Sequence, residues 1–157
     1  MGINKQSNIT METKNELIFK IMSYSQSPGP RYCDQGDDSG EDFYHSILNY
    51  KFYQAYNEKK TLIIDLDGPD GYASSFLDEA FGNLVYDFGK ELVENILKVK
   101  SEEEPEWIEM LNDTYEEWEK RRKGGKAPKI TIEHPKWYRF INNKLVQKQW
   151  LHLSSGK

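Results

Sequence analysis

Two adjacent hydroxyls, Ser74 and Ser75, lie where an apolar segment ends and a helix is predicted to begin, within LIIDLDGPDGYASSFLDEAFGNL (62–84). A serine at the N-cap accepts a hydrogen bond from a free backbone N–H of the first turn, and Ser75 fits because Asp78 follows three residues later. The sequence gives Ser74 no comparable capping role. A phosphate there would lie at the positive end of the helix dipole, although Asp78 and Glu79 would repel it. The pair is therefore either a helix cap or, together with Asp78 and Glu79, a phosphorylation and partner-binding site.

A second candidate for chemistry is the carboxylate pair Asp65 and Asp67. LIIDLDG resembles the start of the first motif of haloacid-dehalogenase-like phosphatases, in which the first Asp attacks phosphorus and the second transfers a proton. Pro69 replaces the Thr usual in that family, and no convincing later Lys or paired-Asp motif follows. Pro69 also occupies a ligand position of a calcium loop. We predict a strand end with a polar turn, and a minimal Mg²⁺-dependent phosphatase or phosphotransferase is the alternative.

Metal-ligand residue types occur between residues 33 and 45 but form no familiar motif. Clustered carboxylates could hold Mg²⁺ or Ca²⁺, yet such acids are more typical of a solvated loop and a helix start. The carboxylates here are Asp34, Asp37, Asp38, Glu41 and Asp42. Cys33 is the single cysteine, which excludes an internal disulfide and a zinc site built on several thiolates. Cys33 and His45 could act as a nucleophile and its base, but nothing in the sequence places them together, and His134 and His152 suggest no metal site. We therefore predict no metal and no cofactor.

The C-terminal residues 120–157 are strongly basic. They contain 11 of the 21 Lys and Arg residues and one acid, Glu133, although the whole chain has a net charge of −5. Basic and aromatic side chains together can bind single-stranded nucleic acid. The candidate contacts are Arg121, Arg122, Lys123, Trp137, Arg139 and Trp150. The favoured interpretation is that the aromatic rings dock on the protein's own core while the cations face its acidic body.

The order of the predicted elements is β–α–β–α–β–α, which indicates helices on a sheet that contains parallel strands. Ser39 caps the first helix, because Asp42 lies three residues on. Residues 61–65 form a short strand with a continuous apolar centre, consistent with burial on both faces. The other predicted elements are strands at 16–24, 95–100 and 129–133, helices at 75–88 and 105–123, and a C-terminal hairpin that turns at Asn142-Asn143. A helix over 136–151 is the alternative to that hairpin.

Length and composition place the chain among small, non-membrane proteins. Its 157 residues suit one domain with an appendage, and no apolar run is long enough to span a bilayer. The N-terminus lacks an apolar signal segment, so we expect a cytoplasmic protein. We divide the chain into a flexible lead (1–14), an α/β domain (15–123) and a basic aromatic extension (124–157).

Two separated blocks carry a resemblance to a known family. PGPRYCDQGDDSGEDFYHSIL followed by LIIDLDGPDGYASSFLDEAFGNLV resembles the bacterial STAS-like domain family of unknown function, whose members look like relatives of the STAS domains of anti-sigma-factor antagonists. The likeness extends from about residue 16 to residue 111 and leaves out 124–157. It implies a small mixed sheet with helices packed on it and no catalytic activity.

The resemblance also implies a regulatory site. In antagonist STAS domains a phosphorylatable serine, in an Asp-Ser-Ser-Gly type motif, lies between a strand and the following helix, and the kinase has a histidine-kinase-type ATP-binding domain. The matching tetrapeptide is Ala73-Ser74-Ser75-Phe76, so Ser74 takes the place of the modified serine, while Ala73 and Phe76 depart from the motif. By the same likeness, the loop 28–41 is a family signature that lies near this corner. Its signature residues are Arg31, Gly36, Ser39, Gly40 and Glu41.

Overall fold

Strands and helices alternate along most of the chain. The computed structural model describes residues 10–12, 15–141 and 144–148, with side chains described for 15–141. The strands are β1 (Thr10–Glu12), β2 (Glu16–Lys20), β3 (Thr61–Asp65), β4 (Leu97–Lys100), β5 (Trp137–Ile141) and β6 (Lys144–Lys148). The helices are α1 (Gly40–Phe43), α2 (Asn49–Glu58), α3 (Ser74–Phe88), α4 (Lys90–Ile96) and α5 (Glu106–Lys123). A π-helical turn, Tyr44–Leu48, joins α1 to α2.

The main sheet has the strand order β1-β2-β3-β4. Strands β2, β3 and β4 are parallel, and β1 pairs with β2 in the antiparallel direction. The register places Leu17, Leu62 and Leu97 side by side across the parallel strands. The predicted small mixed sheet with packed helices, consistent with a STAS-like fold, is confirmed.

Only one face of this sheet is fully buried. Leu17 and Leu62 are inaccessible, whereas their neighbours Ile18 and Ile63 on the other face are partly exposed. The prediction that β3 is buried on both faces is therefore wrong. The two crossover connections run in the same direction along the sheet, and right-handed crossovers then place their helices on the same face.

The helix boundaries confirm some of the predicted caps and contradict others. The Ser39 hydroxyl accepts a hydrogen bond from the backbone N–H of Asp42 at 3.0 Å, as predicted. The N-cap of α3 is Ala73, whose carbonyl accepts from the N–H of Phe76, so the prediction that Ser75 is the cap is wrong. Gly89 ends α3 with a φ of 91°, but α4 begins at the next residue and shortens the predicted strand 95–100 to β4.

The central helix of the core is α3, which packs against α5. A Cβ on Gly82 would lie 2.1 Å from the Trp118 ring, so only glycine allows the two helices to come this close. Phe76, Phe81 and Phe88 on α3 are among the largest buried side chains.

The described part of the C-terminal segment returns to the core. The predicted hairpin is confirmed, because β5 pairs with β6 in the antiparallel direction; Asn142 and Asn143 lie outside the described residues. Trp137 is 4% exposed, and the Tyr138 ring stacks on Tyr53 at 3.8 Å, so these aromatic side chains dock on the protein itself, as favoured. The predicted strand at 129–133 is not formed, because the backbone N–H of Thr131 donates to a side chain, Glu41, instead of to a neighbouring strand.

Candidate functional site

The signature loop (residues 28–41) lies directly against the first turns of α3. The Arg31 guanidinium contacts the carboxylates of Asp78 at 2.8 Å and Glu79 at 3.1 Å. A Cβ on Gly40 would lie 2.4 Å from the carbonyl oxygen of Phe76, so glycine permits the backbones to approach. The two sequence blocks therefore form a single surface.

The serine pair lies at the edge of this surface. Ser74 and Ser75 are the first two residues of α3; Ser74 is exposed and Ser75 is partly exposed. No side chain caps this helix start, because its N-cap residue is Ala73. The first turn of α3 therefore has backbone N–H groups without a side-chain acceptor, which is the arrangement that favours an anion.

The two acids of the predicted partner-binding set have internal contacts. Asp78 accepts hydrogen bonds from Thr114 Oγ1 at 3.1 Å and from Trp118 Nε1 at 3.2 Å, in addition to its ion pair with Arg31. Glu79 is buried, accepts from Asn83 Nδ2 at 2.9 Å, and has a pKa that burial raises. We call Arg31, Ser74, Ser75 and the partly exposed Asp78 the junction surface.

The last signature residue, Glu41, is the centre of a buried hydrogen-bond cluster. Its carboxylate is 1% exposed and accepts from the backbone N–H of Cys33 at 3.0 Å, and from the N–H and the hydroxyl of Thr131 at 2.9 and 2.6 Å. His134 Nε2 lies 2.7 Å from Oε2. Burial alone would raise the pKa of Glu41, but the hydrogen bonds from His134, Thr131 and Cys33 outweigh it and lower the pKa to about 2.

The same cluster brings together three kinds of metal ligand. One ligand atom each from Cys33, Glu41 and His134 lies within 4.8 Å of the other two. The Cys33 sulfur also accepts from the Ser39 hydroxyl at 3.3 Å, and burial raises the pKa of the thiol to about 12. Neither Cys33 nor His134 is predicted as a metal ligand from the sequence, since no spacing connects residues so far apart in the chain.

A second buried polar cluster surrounds Asp87 on α3. Its carboxylate accepts from Arg139 Nε and from the Tyr44 hydroxyl of the π-helical turn. His45, in the same turn, stacks on His134 at 4.0 Å, and burial lowers its pKa to about 3. These residues were not predicted as functional. The available signal was the spacing of Glu79, Asn83 and Asp87, which repeats every four residues in an otherwise apolar helix.

The carboxylates Asp65 and Asp67 hold the turn after β3. Asp65 Oδ1 accepts from the backbone N–H of Asp67 at 2.9 Å, and Asp65 Oδ2 lies 3.6 Å from Lys100 Nζ. The Asp67 carboxylate accepts from the backbone N–H groups of Glu102 and Glu103 at 3.1 and 2.9 Å. Both carboxylates are thus engaged in contacts that connect the loops at the carboxyl edge of the sheet.

Most of the candidate nucleic-acid contacts that the structure describes are engaged with the protein itself. Trp137 is buried, and Arg139 is paired with Asp87. Arg121 lies over the Trp118 ring at 4.0 Å, while Arg122 contacts Glu119 at 3.3 Å. The Lys123 side chain is 74% exposed, and Trp150 lies outside the described residues.

Comparison with known proteins adds one finding about the family. A family model described as a STAS-like domain of unknown function matches residues 39–107, from the N-cap of α1 to the start of α5. No curated protein and no solved structure matches the chain. Among the described residues, no helix combines the length and the apolar character needed to cross a bilayer.

Proposed function

We propose that the chain, of which residues 39–107 match a family model described as a STAS-like domain of unknown function, is a cytoplasmic, non-enzymatic regulatory module that binds a protein partner through the junction surface. One observation carries this proposal. The exposed Ser74 lies one helical turn from the Asp78 carboxylate that fixes Arg31 and the signature loop. A modification of Ser74 would therefore act on the signature loop.

Phosphorylation of Ser74 is the change that fits this geometry. A phosphate adds a charge of about −1.5 to −2 and three strong acceptor oxygens. At the first residue of α3 these oxygens would accept from the uncapped backbone N–H groups. They would also compete with Asp78 for the Arg31 guanidinium, since charge-assisted bonds from arginine to phosphate are strong. Release of Arg31 from Asp78 would loosen the signature loop and alter the surface that the partner contacts.

The proposed partner is a kinase with a histidine-kinase-type ATP-binding domain. The antagonist STAS domains that the chain resembles are phosphorylated by such kinases, and the matching serine is the exposed one of the pair. The partner would bind the unmodified junction surface and leave it after phosphate transfer, because the surface already carries acids and the added charge increases repulsion.

The test uses the tagged full-length chain in its native cells. We expect a phosphopeptide that contains phosphorylated Ser74, and a co-purifying ATP-binding kinase that is retained by Ser74→Ala and lost by Ser74→Asp. Ser46→Asp is the matched control, since Ser46 is exposed on the helical segment that includes the π turn and lies outside the junction surface. If Ser74→Ala and Ser74→Asp keep every partner with unchanged affinity, the proposal is wrong.

A further inference from the structure

The cluster around Glu41 has no part in the proposed function. It joins the signature loop to the C-terminal segment through side chains that are mostly buried: Glu41 is 1% and His134 is 7% exposed, and Cys33 is partly exposed. Three different ligand types, a thiol, a carboxylate and an imidazole, lie within 4.8 Å of one another. This combination goes beyond what a buried ion pair requires.

We propose that Cys33, Glu41 and His134 form a zinc site. Zinc is bound by cysteine sulfur, histidine nitrogen and carboxylate oxygen, at about 2.3 Å for sulfur and about 2.0–2.2 Å for nitrogen and oxygen. Three protein ligands leave the fourth tetrahedral position for water or for an atom of a partner. Cys33 is partly exposed whereas Glu41 and His134 are buried, so an ion from solvent would reach the cluster at Cys33.

The hydrogen bonds around the three residues are of the kind that orient metal ligands. The Ser39 hydroxyl donates to the sulfur at 3.3 Å, which would stabilise a thiolate. The Thr131 hydroxyl and two backbone N–H groups donate to the Glu41 carboxylate and fix its plane. Ligating carboxylates are commonly hydrogen-bonded in this way, and loss of such partners weakens metal affinity about 10–100-fold.

Zinc would replace the hydrogen between Glu41 Oε2 and His134 Nε2. These atoms are 2.7 Å apart, whereas two ligands of a tetrahedral zinc ion are separated by roughly 3.3 Å. The two side chains must therefore move apart by about half an ångström. The ion displaces the thiol proton of Cys33, which leaves to solvent. His134 binds the ion through Nε2 as the neutral imidazole, with the ring hydrogen on Nδ1. No electrons are transferred.

Cobalt substitution tests the site with a signal that only one residue can give. Cys33 is the single cysteine, so a thiolate-to-Co²⁺ charge-transfer band must come from it. We expect the full-length chain, stripped with a chelator, to develop this band and tetrahedral d–d bands at one equivalent of Co²⁺. One equivalent of Zn²⁺ should then abolish both.

Three variants assign the ligands. Cys33→Ser should lose the charge-transfer band, and His134→Asn should bind Co²⁺ at least tenfold more weakly. Asp34→Asn is the matched control, because it removes an exposed charge beside Cys33 and should bind as the wild type does. Circular dichroism of each variant checks that it is folded. Any of three results would refute the site. The first is a wild-type chain that shows no thiolate band at one equivalent of Co²⁺, and the second is a stoichiometry of one ion for two chains. The third is a folded His134→Asn variant that keeps wild-type affinity for Co²⁺.

Discussion

Replacing Glu41 by glutamine tests the buried cluster most directly. The wild-type carboxylate accepts from four donors, two backbone N–H groups, the Thr131 hydroxyl and His134 Nε2. Glutamine has nearly the same shape, but its NH₂ group would point at two of these donors. The variant would lose about two charge-assisted hydrogen bonds and leave buried donors without an acceptor.

The expected cost follows from this count. A hydrogen bond to a charged group contributes about 1.5–3 kcal/mol, so the loss of two costs about 3–6 kcal/mol, a large part of the roughly 5–15 kcal/mol of a typical domain. We expect urea unfolding of Glu41→Gln, measured with a chelator present, to show this loss of free energy. Glu117→Gln, at an exposed position of α5, should change it by less than about 0.5 kcal/mol. A loss below 1 kcal/mol for Glu41→Gln would refute the account of the cluster.

The pH dependence of the unfolding free energy provides a second test of Glu41. The pKa of Glu41 is lowered from 4.5 to about 2, so the unfolded chain takes up this proton first as the pH falls. The contribution is complete above pH 4.5 and is lost between about pH 4.5 and 2, and the shift corresponds to about 3 kcal/mol. The difference in unfolding free energy between the wild type and Glu41→Gln should therefore shrink across that range. A constant difference from pH 6 to pH 2 would contradict the assignment.

Three further predictions concern the packing and the charges near the site. Gly82→Ala should destabilise the fold by about 1–3 kcal/mol or more in thermal unfolding, because its Cβ would overlap the indole ring of α5, whereas Gly71→Ala, with open space around it, should have little effect. Arg31→Ala should increase hydrogen exchange in the signature loop, and unchanged protection would show that the ion pairs do not hold it. The His45 imidazole should stay neutral down to about pH 4 in an NMR titration, and a midpoint near 6.5 would show that it is not buried as described.

The sheet, the main helices and their start signals could be predicted because their evidence is local. The Ser39 cap depends on a residue three positions away, and the end of α3 depends on Gly89. The errors arose where tertiary contacts decide the local structure. Residues 129–133 have a strand-like composition, but the N–H of Thr131 donates to the Glu41 carboxylate, and a segment without a neighbouring strand does not become one.

The buried clusters could not be predicted because their members are far apart in sequence. Glu41 and His134 are 93 positions apart, and no periodic pattern connects them. The sequence predicts that Glu41 lies at a solvated loop and helix start because acids are favoured there, and that statistical preference carries no information about a distant histidine. The buried polar residues of α3 were more accessible to prediction, since Glu79, Asn83 and Asp87 lie on one side of a helix whose other residues are mainly apolar.

The buried acids change how the C-terminal segment must be tested for nucleic-acid binding. The family match ends at residue 107, yet Glu41 and Asp87 inside it are paired with His134 and Arg139 beyond it. Deleting the chain after Lys123 would leave both carboxylates buried without their partners, and each such loss costs several kcal/mol. Loss of RNA or DNA binding in that truncation could then result from unfolding as readily as from a lost contact.

Charge reversal at an exposed position, Lys123→Glu, keeps the buried pairs intact. A binding constant that falls steeply with salt in the wild type and weakens in Lys123→Glu would support a nucleic-acid contact, whereas equal binding by both proteins would exclude one at this position.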